Sequence, residues 1–135
     1  MLSQYVGIKS SHGKYLTSTS GGKIICDKSE IKDNEIFQLR QEGTFITLKT
    51  KFGKYISANY NNGLEAEKNI IGNNEKFELD LKDNNKFTIK SCFGFYVSAL
   101  KDGKIEVNKK QVTENETFQF ILKKVESLAD EIIRF

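Results

Sequence analysis

Apolar and polar residues alternate along this chain in short runs, and the runs recur at a fixed distance. Val6 and Ile8 are separated by one residue, and Phe37 and Leu39 repeat that spacing. Alternate residues of a β-strand face the same side, so the spacing predicts strands with one buried face. The whole pattern returns after 40 residues and again after a further 41. Such a period indicates one supersecondary unit that is used three times.

Superposing the three copies places apolar residues at eight equivalent positions, which we expect to form the core. We also expect Ile8, Leu48 and Ile89 to meet near a pseudo-threefold axis. The eight sets are Val6/Ile46/Phe87, Ile8/Leu48/Ile89, Leu16/Ile56/Val97, Ile24/Leu64/Ile105, Cys26/Ala66/Val107, Ile31/Ile71/Val112, Phe37/Phe77/Phe118 and Leu39/Leu79/Phe120.

Turn residues divide each copy into four short strands. Gly13 and Gly21-Gly22 interrupt the first copy, and Asn and Gly residues stand at the equivalent places of the other two. The repeats cover about 5–43, 44–84 and 85–122. About twelve strands in three four-stranded units predict an all-β protein, and the threefold repeat favours a single β-trefoil.

One phrase marks each copy: Gly-Lys-Tyr, an aliphatic residue, then Ser or Thr. It begins at Gly13 and Gly53, and a variant with Phe95 in place of lysine begins at Gly94. Asn-Glu-x-Phe follows about twenty residues later in every copy. This pattern resembles the repeat of the fascin family of β-trefoils over nearly the whole chain. The resemblance implies a non-enzymatic, cytoplasmic, cytoskeletal protein that binds and bundles actin filaments.

The composition agrees with a binding protein rather than an enzyme. The chain has one histidine, His12, and two cysteines, Cys26 and Cys92, which form no metal-ligand spacing. We therefore predict no catalytic residues, no metal and no cofactor. A net charge of +3 is too small by itself to indicate nucleic-acid binding, so no DNA partner is expected. No apolar run reaches the length of a membrane span.

The repeat also separates structural residues from candidate contact residues. A structural need arises three times in such a fold, whereas a binding site usually arises once. The Asn-Glu pairs at 34–35, 74–75 and 115–116 are therefore predicted to be turn residues. Basic patches and third-repeat aromatics suit an acidic actin filament. The candidate actin-binding residues are Lys49, Lys51, Lys54, Phe93, Phe95, Lys101, Lys104, Lys109 and Lys110.

Two other classes of binding protein remain open. Trefoils also serve as lectins, so a carbohydrate-binding module is one alternative, although the ricin-type lectin repeat contains Trp and this chain has none. The same lysines could instead bind anionic lipid or RNA, and that binding would weaken steeply with salt.

The residues after Phe120 follow a different pattern. Their apolar positions are spaced by three and four, which predicts an amphipathic helix over 123–135. Its apolar face can pack on its own barrel or on a second copy. A dimer would hold two filament sites and could cross-link filaments. The candidate dimer residues are Val125, Leu128, Ile132 and Phe135.

Overall fold

The computed structural model describes the backbone of residues 2–127 and the side chains of residues 3–125. The described part of the chain forms twelve strands, which are joined by turns and four short 3₁₀ turns. The strands are β1 (Leu2–Ser10), β2 (Tyr15–Ser18), β3 (Ile24–Lys28), β4 (Phe37–Glu42), β5 (Phe45–Lys49), β6 (Tyr55–Ala58), β7 (Leu64–Lys68), β8 (Phe77–Leu81), β9 (Phe87–Lys90), β10 (Tyr96–Ala99), β11 (Ile105–Lys109) and β12 (Phe118–Ser127).

Six of the strands close into a barrel. The order of antiparallel pairing is β1–β4–β5–β8–β9–β12, and β12 pairs with β1 again. Closure removes most free strand edges, which otherwise attract other strands. The three remaining hairpins, β2–β3, β6–β7 and β10–β11, each extend from one barrel strand. This arrangement confirms the predicted all-β trefoil.

The three hairpins are joined to one another in a ring by backbone hydrogen bonds. The amide of Cys26 donates to the carbonyl of Gly103 at 2.8 Å, and that of Ala66 donates to Gly22 at 2.8 Å. The amide of Val107 closes the ring by donating to Asn62 at 2.7 Å. Each repeat therefore holds the turn of its neighbour, which explains why the three units fold as one domain.

Most of the predicted core residues are buried in one cluster. Ile8, Leu48 and Ile89 all belong to it, and Phe37, Phe77 and Phe118 are among its largest fully buried side chains. The prediction is wrong for one of the eight sets. Ile71 is 41% exposed, and Ile31 and Val112 are only partly buried, because this position lies in the connection before the 3₁₀ turn.

The predicted helix over 123–135 is wrong where the structure describes it. Residues 123–127 continue β12, whose backbone pairs with the start of β1 from Tyr5↔Lys124 to Leu2↔Ser127. The start of β1 provides these residues with backbone hydrogen-bond partners from another strand, which an isolated short helix lacks. The rest of the predicted helix, residues 128–135, lies outside the described residues.

Candidate partner-binding surface

A buried carboxylate lies beneath each hairpin and explains the recurring Ser or Thr of the sequence phrase. Glu35, Glu75 and Glu116 are at most 4% exposed. Each accepts a 2.5 Å hydrogen bond from the Ser or Thr hydroxyl, as in Thr17 to Glu35. Its other oxygen accepts the backbone N–H at the start of its own 3₁₀ turn at 2.7–2.8 Å. These glutamates lie in turns, as predicted, and from inside the protein they also hold each turn to a hairpin.

The environment of Glu116 favours its charged form. Burial acts to raise the pKa of this carboxyl. The Ser98 and Thr113 hydroxyls, the Thr113 amide and the charge of Lys109 act in the opposite direction and outweigh it, so the pKa lies below its usual value. Lys109, a candidate contact residue, therefore also stabilises this buried carboxylate.

A second threefold contact involves the lysine at the end of each first strand. The Lys49 amine lies 5.4 Å from the centroid of the Tyr55 ring. Lys9 over Tyr15 and Lys90 over Tyr96 repeat the contact at 5.9 and 5.6 Å. Because the contact occurs in all three repeats, Lys49 has a structural role in cation–π packing besides its candidate role in binding.

The other two candidate lysines of the second repeat differ in exposure. Lys51 is exposed, and its amine lies 5.2 Å from the centroid of the Phe52 ring. Lys54 donates a 2.6 Å hydrogen bond to the side chain of Asn69. The structure therefore places Lys49, Lys51 and Lys54 around one hairpin but holds each in a local contact.

The third repeat breaks the symmetry at the position of Lys54. In the first repeat Lys14 donates to the Ser29 hydroxyl at 2.9 Å, just as Lys54 donates to Asn69. In the third repeat Phe95 stands at the position of Lys54, and Lys110 stands at the position of Asn69. The amine is therefore supplied by the other residue of the pair. Lys110 lies 5.8 Å from the centroid of the Phe95 ring. Here an aromatic ring and an exposed lysine form a joint surface that the other two repeats lack at this position.

The four third-repeat lysines form two groups rather than one patch. Lys101 and Lys104 lie at the turn end of the β10–β11 hairpin. At the other end, Lys109 is the last residue of β11 and Lys110 follows it. At about 3.4 Å per residue the two groups are roughly 17 Å apart. All four are exposed, and no carboxylate of the described residues forms an ion pair with them.

Phe93 belongs to a different surface, at the junction of the second and third repeats. Its ring contacts that of Tyr60, with 5.0 Å between the centroids and an angle of 52°. Tyr60 is 83% exposed and was missed in the sequence analysis. Its equivalents in the other repeats are Ser20 and Lys101. A search for residues that differ between the repeats could therefore have found it.

The candidate dimer residues are described only in part. Val125 lies in β12, is 46% exposed and has no helical neighbours. Leu128, Ile132 and Phe135 lie outside the described residues.

No catalytic arrangement emerges from the titratable groups of the described chain. His12 Nε2 and Asn115 Oδ1 lie 2.8 Å apart, across the junction of the first and third repeats. Burial raises the pKa of the Cys26 thiol to about 11, and burial also raises that of Cys92. Neither thiol is thereby activated as a nucleophile. Residues 2–127 hold no group of three or more His, Cys, Asp or Glu side chains that could bind a metal.

The described residues also contain no helix that is long and apolar enough to cross a membrane.

Comparison with known proteins identifies the fold family. A family model described as the Fascin domain matches residues 2–79, which is more than half of the chain. No curated protein matches the chain.

Proposed function

The chain belongs to the fascin family, and on that premise we propose that it is a non-enzymatic cytoskeletal protein that binds actin filaments. Fascin domains form a family of actin-binding and actin-bundling proteins. The observation that supports a specific surface is the broken symmetry at Phe95. An aromatic ring and an unpaired exposed lysine, Lys110, occur together there and at no equivalent position.

Lys109 extends this surface along the same strand end. Together Phe95, Lys109 and Lys110 combine an aromatic anchor with positive charge. That combination is typical of the energetically important centre of a protein interface. The acidic surface of an actin filament is complementary to it. Lys101 and Lys104 form a second, weaker candidate because they lie at the far end of the hairpin without an aromatic neighbour.

Cosedimentation with actin filaments tests the proposal. We expect the wild-type protein to pellet with filaments at high speed. The variant Lys109→Gln/Lys110→Gln should bind more weakly, whereas Lys101→Gln/Lys104→Gln should lose less. Lys28→Gln/Lys68→Gln is the matched control, because it removes the same charge at positions equivalent to Lys109.

Three results would contradict the proposal. One is a wild-type protein that remains in the supernatant at low salt, and another is a control that weakens binding as much as Lys109→Gln/Lys110→Gln does. A steep loss with salt that is equal for filaments, anionic vesicles and RNA would instead indicate unspecific lysine electrostatics.

Bundling requires two filament sites in one particle, and we propose that residues 125–135 join two copies. The proposal rests on the apolar residues of this segment and on the exposure of Val125. Deleting residues 128–135 should leave high-speed pelleting intact and abolish low-speed pelleting of bundles. Light scattering that finds the full-length protein monomeric at tens of micromolar would overturn the dimer.

A further inference from the structure

A groove with a volume of about 590 Å³ lies at the junction of the second and third repeats. Its size falls within the roughly 300–1,000 Å³ that is usual for small-ligand sites. The proposed actin surface around Phe95 does not contribute to its lining. Its lining includes Phe45, Tyr60, Asn73, Lys76, Glu78 and Phe93.

An exposed aromatic ring forms one wall of the groove. Tyr60 is the one aromatic residue among the strongly exposed large side chains of the described chain. Its turn does not need the ring, because the Asn59 side chain accepts hydrogen bonds from the amides of Asn61 and Gly63. Its contact with Phe93 places the ring at the groove. A ring that is held in place and left open to solvent provides a flat stacking surface.

The polar lining supplies both donors and acceptors. Among the described residues, the side chains of Asn73 and Glu78 have no hydrogen-bond or ion-pair partner. The Lys76 amine lies 4.9 Å from the centroid of the Phe45 ring and keeps its hydrogen-bond donors available. The groove therefore places an amide, a carboxylate and an amine beside one aromatic face.

We propose that this groove binds a neutral saccharide of one or two rings. A sugar ring presents an apolar C–H face, which fits the Tyr60 ring, and a rim of hydroxyl groups. Hydroxyls both donate and accept, so they can pair with Glu78, Asn73 and Lys76 together. A nucleic acid is the rival occupant, because Lys76 and Lys90 would attract its phosphates while Glu78 would repel them.

The junction of the first and second repeats provides an internal comparison. Its cavity is lined by Ile36 at the position of Lys76 and Gln38 at that of Glu78. Ser20 occupies the position of Tyr60. That junction therefore lacks the stacking ring and has no counterpart of the Lys76 and Glu78 side chains. Asp33, Lys49 and Lys51 carry the charges of its lining, and without the ring the proposal predicts no saccharide there.

Isothermal titration calorimetry with lactose, maltose, cellobiose and N,N′-diacetylchitobiose tests the site. We expect at least one of the four to bind, and Tyr60→Ser, which installs the first-repeat residue, to weaken that binding about tenfold or more. Tyr60→Phe should retain it because the ring face is preserved. Lys101→Ala is the matched control at the equivalent turn and should bind as the wild type does. Thermal unfolding checks that each variant is folded.

The proposal is independent of filament binding, so Tyr60→Ser should pellet with actin filaments as the wild type does. It is overturned if none of the four disaccharides binds, or if Tyr60→Ser binds as tightly as the wild type. It is also overturned if an oligouridine binds the groove in their place, or if Tyr60→Ser loses filament binding, since the groove would then belong to a protein interface.

Discussion

The contact beneath the hairpins is the same in all three repeats, whereas the contact on their outer side changes in the third. Beneath, a glutamate such as Glu75 receives one hydroxyl and one backbone amide. Outside, lysine meets a small polar side chain in repeats one and two, but Lys110 meets Phe95 in repeat three. The inner contact is present wherever a 3₁₀ turn meets a hairpin, whereas the residues of the outer contact differ between repeats.

This difference distinguishes the residues that build the trefoil from the residues that can recognise a partner. The inner contact satisfies buried polar groups, which are costly when they lack partners. The outer contact lies at the protein surface, where the lysine and its partner can change from repeat to repeat, although Phe95 in the third repeat also packs against the core. We therefore expect substitutions in the inner contact to lower stability more than substitutions in the outer contact.

Removing a buried glutamate should have the largest effect. Glu75→Ala leaves the Ser57 hydroxyl and the Gly72 amide without a partner, at about 1–3 kcal/mol for each orphaned group. We expect each of Glu35→Ala, Glu75→Ala and Glu116→Ala to lower the free energy of unfolding by about 2–4 kcal/mol in urea denaturation. Similar losses in the three repeats would support a shared structural role.

The exposed Glu114→Ala serves as the control and should change stability by less than about 0.5 kcal/mol. A loss of stability confined to one of the three glutamates would contradict the equivalence of the inner contacts.

Substitutions in the turns that join the three hairpins should have the next largest effect on stability. Gly22 has a φ of +89°, and an added Cβ would lie 2.7 Å from Glu67 Cγ and 3.0 Å from the Ala66 carbonyl. Gly22→Ala should therefore cost about 1–3 kcal/mol. Asn62, at the equivalent position, has a φ of +61°, so Asn62→Gly should be close to neutral. Equal thermal stability of Gly22→Ala and the wild type would contradict this account.

A smaller effect should depend on pH. The pKa of Glu116 is lowered in the folded state, so its contribution to stability is present above the unfolded pKa and is lost as the pH falls through the folded pKa. Lys109→Gln should therefore reduce stability at pH 7 by about 0.2–1 kcal/mol, and this reduction should disappear in acid. Denaturation of the variant and the wild type across pH 2–7 measures the difference. A reduction that is constant over this range would show that Lys109 acts otherwise.

The sequence predicted the trefoil because the apolar spacing and the turn residues repeat three times. An ambiguous residue in one copy could therefore be interpreted from the equivalent residues in the other two. It did not reveal that Glu35, Glu75 and Glu116 are buried, because a glutamate in a turn reads as exposed until its hydroxyl partner 18 residues earlier is placed beside it. The helix prediction is wrong at residues 123–127, because an apolar spacing of three and four carries no information about the partner strand that β1 provides there.

The surface was predictable only as a set of unrepeated residues. The sequence picked out Phe95 and Lys110, which the structure places in contact, but it grouped Lys101 and Lys104 with Lys109 although a strand's length lies between them. Phe93 was selected without its neighbour Tyr60. Distances across the repeats decide these groupings, and sequence proximity does not report them.

The most direct test gives the third repeat the outer contact of the second. Phe95→Lys/Lys110→Asn recreates the pair Lys54–Asn69 and leaves the net charge unchanged, so it alters the surface without altering the overall attraction to filaments. Lys110 is exposed, but Phe95 is partly buried and packs against the core, so thermal unfolding must first show that this variant is folded at the assay temperature. In high-speed cosedimentation at one fixed salt concentration, we predict that the wild-type protein pellets with actin filaments and that this variant binds clearly more weakly. Equal binding by the two proteins would contradict the assignment of the filament surface to the third repeat.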